Sequence, residues 1–385
     1  MHIAIASGKG GTGKTTLSVN LAAHLSRSGF PVTLVDCDVE EPNAHLFFQP
    51  QWAWTRTAHA PVPAVDSSRC IGETCRICVT ECRFKALIWM GEIMEFPELC
   101  HGCGLCMEAC PAGAITESTR VIGTVQMGTV QMDAVRAESI SPQNSHTADT
   151  PALRLLTGSL RVGEAMSPPL IRELFGQLEQ LDQLDMGVHA GQAERIRVSV
   201  PRRNEEIVLR DCPPGTSCPV ITSMDGADYT ILVTEPTPFG LHDLQLAVET
   251  LRTLKQPFGV VINRSGMGDN RVDEWLAAQA IPVLARIPHS QQAATVCAEG
   301  QLLINALPQM RDAYAALWER LHQIVTQGRN TTEAETTGEA ASAKASALST
   351  TIHGVKTNAR PDTETDTKAA RHAAALQSAS EAHHA

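Results

Sequence analysis

The sequence predicts an α/β fold in which helices cover both faces of a mostly parallel sheet. Residues 2–7 (HIAIAS) and 31–36 (PVTLVD) are short apolar runs typical of buried strands, and residues 14–28 between them carry leucines at helical spacing. A strand, a helix and a strand in this order form a βαβ unit, whose two strands run parallel. Aromatic residues make up only 4% of the chain, so we expect an aliphatic core of the kind that parallel sheets bury.

The alternation of strands and helices resumes after residue 163, so the sheet is expected to continue there. Predicted strands cover 205–211, 229–235, 258–264 and 281–287, and predicted helices cover 168–184, 239–255, 270–279, 290–299 and 308–326. Residues 118–163 hold short Val, Ile and Leu stretches with glycines, which predict hairpins. Residues 328–385 are rich in Thr, Ala, Ser and Glu and contain no Phe, Trp or Tyr, which predicts a disordered tail.

Composition and charge exclude several classes of protein. The formal net charge of the 385 residues is -11, without a basic stripe, so nucleic acid is not an expected partner. The chain contains no run of 18 apolar residues, so no membrane insertion is expected. Its first apolar run is short and leads directly into a glycine loop, which does not fit a signal peptide. A cytoplasmic location follows as an expectation, and twelve cysteines in a reducing compartment favour metal ligation over disulfides.

A phosphate-binding loop is predicted after the first strand. Residues 8–15 (GKGGTGKT) fit the pattern G-x-x-x-x-G-K-[ST] between a strand and a helix, where backbone N–H groups can surround phosphate oxygens. Lys14 is expected to reach the β- and γ-phosphates, and Thr15 to offer its hydroxyl to Mg²⁺. The residues expected to bind the nucleotide here are Gly8, Gly10, Gly11, Thr12, Gly13, Lys14, Thr15 and Thr16.

Lys9 adds a second lysine to this loop. The run K-G-G-T-G-K-T resembles the deviant Walker A motif of the MinD/ParA-type ATPases, a family that includes Mrp-type iron–sulfur carriers and the nitrogenase iron protein. The resemblance covers roughly residues 1–50 and 118–325 and implies a P-loop ATPase that binds ATP and Mg²⁺. It also implies a nucleotide-sandwich homodimer, in which Lys9 contacts the phosphates bound by the other subunit.

Three further segments carry the resemblance. Residues 35–43 (VDCDVEEPN) place Asp38 where the family positions or activates the attacking water, and Asp36 where a carboxylate supports Mg²⁺ through its waters. Asp211, in IVLRDCPPG, resembles the Walker B carboxylate that lies in the Mg²⁺ shell. Asn263, at the end of FGVVINR, matches the position at which the family reads adenine, although a turn cap would also account for it.

Eight cysteines lie between residues 61 and 115 in two runs of four. The second run has the pattern C-x2-C-x2-C-x3-C-P, which is the bacterial ferredoxin pattern and favours an iron–sulfur cluster over a four-cysteine zinc site. The first run has the spacing C-x4-C-x2-C-x3-C, which also matches the start of a plant-type [2Fe–2S] pattern. Its cysteines are Cys70, Cys75, Cys78 and Cys82, and those of the second run are Cys100, Cys103, Cys106 and Cys110.

The two runs are related by a constant offset. The last three cysteines of the first run each lie 28 residues before their counterparts in the second run, and the first pair lies 30 apart. This indicates an internal duplication, as in a ferredoxin with two [4Fe–4S] clusters, where the fourth cysteine of each run ligates the other cluster. One cluster would then take Cys70, Cys75, Cys78 and Cys110, and the other Cys100, Cys103, Cys106 and Cys82. A [2Fe–2S] centre or a lost first cluster are the alternatives for the first run.

Together these features resemble MinD-superfamily ATPases with an inserted ferredoxin domain. The expected division is an ATPase domain at 1–60 and 118–327, an α+β ferredoxin-like module at 61–117 and the tail at 328–385. The implied function is an ATPase whose nucleotide-dependent dimerisation gates electron transfer to an unidentified redox partner. The alternatives are an iron–sulfur carrier or assembly factor with an acceptor protein, to which Cys218 could contribute a ligand, and a spatial organiser. Cys37, Cys212 and Cys297 are expected to be buried small hydrophobes.

Overall fold

One large sheet forms the centre of the protein. The structure is a computed structural model, and it describes residues 1–132, 153–185 and 206–327. The strands are β1 (His2–Ala6), β2 (Val32–Asp36), β3 (Gln51–Val65), β4 (Leu87–Trp89), β5 (Ile93–Glu95), β6 (Ile115–Val130), β7 (Leu153–Leu160), β8 (Ile207–Asp211), β9 (Tyr229–Thr234), β10 (Phe258–Ser265) and β11 (Val283–Pro288). Nine of these strands, within the described residues, form the large sheet in the order β11-β10-β9-β1-β8-β2-β7-β6-β3.

Helices connect the strands. They are α1 (Lys14–Arg27), α2 (His45–Phe48), α3 (Ile77–Glu81), α4 (Leu105–Glu108), α5 (Pro168–Asp185), α6 (Cys218–Met224), α7 (Pro238–Thr253), α8 (Arg271–Ala278), α9 (Gln291–Ala298), α10 (Leu303–Ala306) and α11 over 308–327. Short 3₁₀ turns lie at Gly72–Thr74 and Pro97–Leu99. Within the described ranges, no helix combines the length and the apolar character needed to span a membrane. The predicted disordered tail, 328–385, lies outside the described residues.

The strands from β11 to β7 run parallel, and β6 and β3 extend the sheet antiparallel. Alternate residues of β1 point to opposite faces, because side chains alternate along a strand. Ile3 and Ile5 pack with α1 and α11 on one face, whereas Ala4 and Ala6 pack with α6, α7 and α8 on the other. Helix α5 covers β2 and β7 on that second face. The prediction of a mostly parallel sheet with helices on both faces is confirmed.

The cysteine-rich segment is carried by a long two-stranded arm. Strands β3 and β6 pair antiparallel from Gln51 opposite Thr129 to Val65 opposite Ile115. The segment between them contains the hairpin of β4 and β5, whose Leu87 and Ile93 pack with Ile115 and with partly buried cysteines. The expected module boundaries at 60/61 and 117/118 therefore fall inside the two strands of this arm. The stretches predicted as hairpins within 118–163 form β6 and β7, which pair antiparallel.

Candidate functional site

The glycine loop lies at the end of the central strand β1 and leads directly into α1. Gly11 and Gly13 have φ angles of +75° and +96°, a region that glycine adopts without steric cost. A Cβ atom on Gly13 would lie 2.3 Å from Nδ2 of Asn263, and one on Gly8 would lie 2.2 Å from the carbonyl oxygen of Asp243 in α7. The loop therefore brings bare backbone to the N-terminus of α1, an arrangement that suits phosphate oxygens.

Replacing Gly8 with alanine should destabilise the protein by about 1–3 kcal/mol, because the new Cβ meets the helix backbone of α7 rather than a flexible side chain. Urea denaturation of the full chain measures this change in the free energy of unfolding. Gly176→Ala is the matched control, because that position in α5 faces open space. Alanine there should stabilise the protein by roughly 0.5–1 kcal/mol. Equal stability of the two variants would contradict the close approach of Gly8 to α7.

Two carboxylates lie side by side next to the loop. Asp211 ends β8 and Asp36 ends β2, and the two residues are opposite each other in register. Both are fully buried. Burial raises the pKa of each carboxyl group; the neighbouring Asp211 raises that of Asp36 further, whereas hydrogen bonds from Thr15 and Ser18 and the charge of Lys14 act to lower that of Asp211. Such a pair is stable as a dianion only near added positive charge.

The two carboxylates have different hydrogen-bond partners. Asp36 accepts backbone N–H groups from Asp38 at 3.2 Å and from Asn43 and Ala44 at 3.0 Å each, so it shapes the turn that follows β2. Asp211 accepts the Ser18 hydroxyl at 3.0 Å through Oδ1, and its Oδ2 is buried without a hydrogen-bond partner. An unpaired buried carboxylate oxygen fits an oxygen-preferring divalent cation such as Mg²⁺.

Asp38 lies in the turn that Asp36 shapes, and it is half-buried. Burial raises its pKa, and the charge of Lys14 acts in the opposite direction. Lys14 is itself 7% exposed and begins α1. The structure thus brings the predicted residues Lys14, Asp38 and Asp211 together at one edge of the sheet. Thr16, in contrast, hydrogen-bonds to the thiol of Cys297.

A second group of charged residues flanks the other side of the loop. Lys9 Nζ lies 2.5 Å from Oε1 of Glu235, and Nη1 of Arg264 donates to Oε2 of Glu235 at 2.9 Å. Nη2 of Arg264 also donates to the Gly11 carbonyl at 3.1 Å. Burial acts to raise the pKa of Glu235, but the hydrogen bond and charge of Lys9, followed by the charge of Arg264, hold it below its ordinary value.

Glu235 directly follows β9, the strand next to β1, and Asn263 lies near the carboxyl end of β10, the strand next to β9. Nδ2 of Asn263 donates to the Thr12 carbonyl at 2.7 Å, so this predicted residue contacts the loop. Sequence reasoning did not identify Glu235. A signal was present, because Glu235 directly follows the apolar run YTILVT, and ligand-binding groups in parallel sheets gather at the carboxyl ends of strands.

The eight cysteines of the two runs surround two cavities. A cavity of about 290 Å³ is lined by Cys82, Cys100, Cys103 and Cys106. A second cavity, of about 20 Å³, is lined by Cys70, Cys75, Cys78 and Cys110. Each cavity thus has three cysteines from one run and the last cysteine of the other run. We call the cysteines of the larger cavity the inner set and those of the smaller cavity the outer set.

The chemistry of these cysteines fits thiolate ligation of a cluster. Backbone N–H groups donate to sulfur from Ala86 to Cys82 at 3.3 Å and from Ala114 to Cys110 at 3.3 Å. Such hydrogen bonds stabilise thiolates and tune cluster potentials. In the part of the chain that the structure describes, no group of three or more His, Cys, Asp or Glu side chains converges to hold one metal ion. A cubane cluster binds each thiolate through a different iron, so its ligands surround a cavity instead.

The four other cysteines are free thiols in different environments. Cys37 and Cys212 are fully buried, and burial raises the pKa of both. Cys297 is only half-buried, so the expectation of a buried core residue fits it less well. Cys218 is exposed at the start of α6, away from both cysteine sets in the sequence.

The chain is similar to several known proteins. An uncharacterized protein of Methanocaldococcus jannaschii is 26% identical over 329 residues, which are 84% of this chain and 98% of that protein. The iron–sulfur cluster carrier protein of Pyrococcus furiosus is 48% identical over 46 residues, which are 12% of this chain and 16% of the carrier. The septum site-determining protein MinD of Pyrococcus horikoshii, solved with Mg-ADP, aligns with a TM-score of 0.47 at 17% identity, covering 84% of this chain and 96% of that one.

The family model for the CobQ/CobB/MinD/ParA nucleotide binding domain matches residues 3–304. This match spans most of the chain and includes the glycine loop, the buried carboxylates and Asn263. The chain therefore belongs to the CobQ/CobB/MinD/ParA family of nucleotide-binding proteins.

Proposed function

We propose that this protein is a Mg²⁺-dependent ATPase of the MinD/ParA type whose nucleotide-dependent dimerisation gates electron transfer through two [4Fe–4S] clusters. The observation that carries the proposal is the pairing of thiols from both cysteine runs in each of two sets. The sets lie at the end of the arm of β3 and β6, whose first strand follows α2 and the Asp38 turn. The proposed division is an ATPase domain at 1–60 and 118–327 with the cluster module at 61–117.

In this proposal the glycine loop binds the ATP phosphates and Asn263 contacts the adenine. Asp211 and Thr15 would hold Mg²⁺, with Asp36 supporting it from the neighbouring strand. Two carboxylates are sufficient because Mg²⁺ in nucleotide sites takes its other oxygens from phosphates and water. Mg²⁺ would supply neutralisation of the phosphate charge. Lys14 adds a fixed positive charge, and Asp38 orients the attacking water.

Lys9 has a separate role in the proposed dimer. Within one subunit it pairs with Glu235, and its side chain remains 30% exposed, so it is at the surface of the site. We propose that Lys9 leaves Glu235 when two subunits enclose nucleotide and contacts the phosphates of the partner subunit. The remaining ion pair of Glu235 with Arg264 keeps the Glu235 carboxylate compensated after this exchange.

Lys9→Ala should therefore bind ATP normally but lose nucleotide-dependent dimerisation and at least about tenfold in kcat, roughly 1.4 kcal/mol of transition-state stabilisation. Light scattering after gel filtration with and without Mg-ATP measures the dimer, and phosphate release measures hydrolysis. Glu235→Gln is the control, because it releases Lys9 without removing it and should still dimerise. A Lys9→Ala protein that dimerises and hydrolyses like the wild type would refute the exchange.

The second candidate is an iron–sulfur carrier or assembly factor. Its support is the exposure of Cys103 in the inner set and the similarity, over 46 residues, to carrier proteins. The half-buried position of the other seven cysteines favours resident clusters instead, because cargo must be released to an acceptor. An unidentified redox partner or acceptor and a cytoplasmic location belong to both proposals. Neither nucleic acid nor membrane insertion is part of them.

Anaerobic purification followed by iron and sulfide counting and EPR tests the proposal. Two four-iron clusters predict about eight irons per chain and an EPR signal on reduction by dithionite. Electron transfer to a viologen dye should depend on whether ATP or ADP is bound. Transfer of iron and sulfide to an apo-ferredoxin, without reversible reduction, would favour the carrier. A protein without iron after anaerobic purification and reconstitution would refute both candidates.

A further inference from the structure

One segment contacts both the Asp38 turn and the cysteine module. Residues 160–167, which we call the strap, connect β7 to α5. At one end, the Leu160 N–H donates to the Val39 carbonyl at 2.9 Å. At the other, the Ser167 hydroxyl donates to Oε1 of Glu40 at 2.9 Å. Both acceptors follow Asp38 within two residues, so the strap contacts the segment directly after the proposed catalytic aspartate.

The middle of the strap is fixed to the arm by a buried ion pair. The carboxylate of Glu164 accepts hydrogen bonds from both Nη atoms of Arg120 in β6, and one of these bonds is 2.9 Å long. The Glu164 side chain is 1% exposed and that of Arg120 10% exposed. The Arg161 backbone N–H also donates to the Ile122 carbonyl of β6 at 3.0 Å. Separating a buried carboxylate from its cation strongly destabilises the protein, so strap and arm are expected to move together.

Further ion pairs connect Glu164 to the turn that precedes Cys100 of the inner cysteine set. Nη2 of Arg161 lies 3.5 Å from Oε1 of Glu98, and its Nε lies 3.6 Å from Oε2 of Glu164. Glu98 is in the 3₁₀ turn Pro97–Leu99, whose Pro97 carbonyl accepts the N–H of Cys100 at 3.1 Å. The hydrogen bond of Arg120 with Glu164, followed by the charges of Glu164 and Glu98, raises the pKa of the Arg120 guanidinium.

We propose that the strap couples the nucleotide site to the inner cysteine set, with Glu164 as the positioning residue. Movement of the Asp38 turn on nucleotide binding pulls the strap through Val39 and Glu40. Glu164 transmits this movement to Arg120 and, through Arg161, to the Glu98 turn that begins the second cysteine run. The outer set has no such contact with the strap among the described residues. This inference rests on the proposed function only in assuming that the cysteines bind iron–sulfur clusters.

Amide hydrogen exchange on the full chain tests this coupling with Mg²⁺ and a non-hydrolysable ATP analogue as the probe. In the wild type, the analogue should change exchange severalfold in two segments, 36–44 and 97–106. Glu164→Gln should keep the change in 36–44 and lose most of the change in 97–106. Arg161→Gln, which alters a side chain that is 41% exposed, should do the same and decides the question if Glu164→Gln does not fold.

Glu73→Gln is the matched control. It also removes one module carboxylate from an ion pair, that with Arg76 at 2.5 Å, but this pair lies beside the outer set and does not touch the strap. The control should show the full wild-type response in both segments. A wild type that responds at 36–44 but not at 97–106, or variants that keep both responses, would overturn the coupling.

Iron counting on the same samples separates this inference from the proposed function. Both exchange responses in a protein that assembles no cluster would support the strap and refute the electron-transfer proposal. A fully loaded, ATP-hydrolysing protein without a response at 97–106 would refute the strap and leave the proposed function standing. In the loaded protein, the EPR signal should also shift with the analogue in the wild type and Glu73→Gln, and stay constant in Glu164→Gln.

Discussion

Replacing Lys14 with alanine is expected to abolish ATP hydrolysis. Lys14 begins α1 directly after the glycine loop, and it is buried next to Asp38 and Asp211. Burial raises the pKa of both carboxyl groups, and the charge of Lys14 acts to lower them. A fixed ammonium at this place stabilises charge that develops on the transferred phosphoryl group. We expect kcat to fall by at least about 10³-fold, which corresponds to roughly 4 kcal/mol. Steady-state phosphate release at saturating Mg-ATP measures it.

The control for this variant is Lys255→Ala. Lys255 follows α7 on the exposed surface, so its replacement removes the same charge without changing the site. It should hydrolyse ATP at the wild-type rate. Circular dichroism must show that Lys14→Ala is folded, because the change also leaves two buried carboxylates without a neighbouring cation. Turnover above a tenth of the wild-type rate in the folded variant would remove Lys14 from its proposed role.

The centre of the fold could be predicted because it depends on local patterns. The apolar runs that became β2 and β8 end in aspartate, the run that became β1 leads into the glycine loop, and the helix α1 has leucines at regular spacing. The family resemblance implied that Asp36 and Asp211 support Mg²⁺ beside the loop, and the structure places the two residues opposite each other at the ends of neighbouring parallel strands. That they are fully buried, with one oxygen of Asp211 unpaired, depends on packing that sequence spacing does not define.

Features that depend on distant partners were not predicted. Strand β3 contains Pro61 and Pro63, which argue against a strand, but β3 is the edge of the sheet, where a missing N–H is tolerated. Arg210 interrupts an apolar strand and yet is only 5% exposed. Its guanidinium lies over the ring of Phe175 and donates a hydrogen bond to the Ser223 carbonyl. These partners lie outside the strand that contains Arg210, so no local sequence pattern predicts the contacts.

The strap shows the same limit at the level of function. Glu164 is an isolated acidic residue in a short glycine-containing stretch, and its sequence neighbours give no sign that it is buried. Its partner Arg120 lies 44 residues earlier, in a strand that the sequence predicted only as part of a hairpin. The ion pair arises because β6 and β7 pair antiparallel and bring the ends of the two segments together. Such a contact requires the register, which the hydrophobic pattern alone did not provide.

Double substitutions in the cysteine runs should show which thiols share a cluster. We expect Cys82→Ala combined with Cys103→Ala to retain about four irons per chain, because both residues line the inner cavity and the outer set stays complete. Cys82→Ala combined with Cys75→Ala should retain almost none, because it removes one ligand from each set. Iron and sulfide counting after anaerobic reconstitution measures the difference, and EPR identifies the cluster type that remains.

These two variants distinguish crossed from sequential ligation without knowledge of either cluster's spectrum. If each run bound its own cluster, Cys75 and Cys82 would belong to one cluster, and their joint loss would leave about four irons. The pair Cys82 and Cys103 would then affect both clusters and leave almost none. Each variant removes two cysteines and each includes Cys82→Ala, so general destabilisation should affect both variants alike. Which of the two retains about four irons therefore depends only on how the cysteines are divided between the clusters. Retention of about four irons by the Cys75 pair would refute the crossed sets.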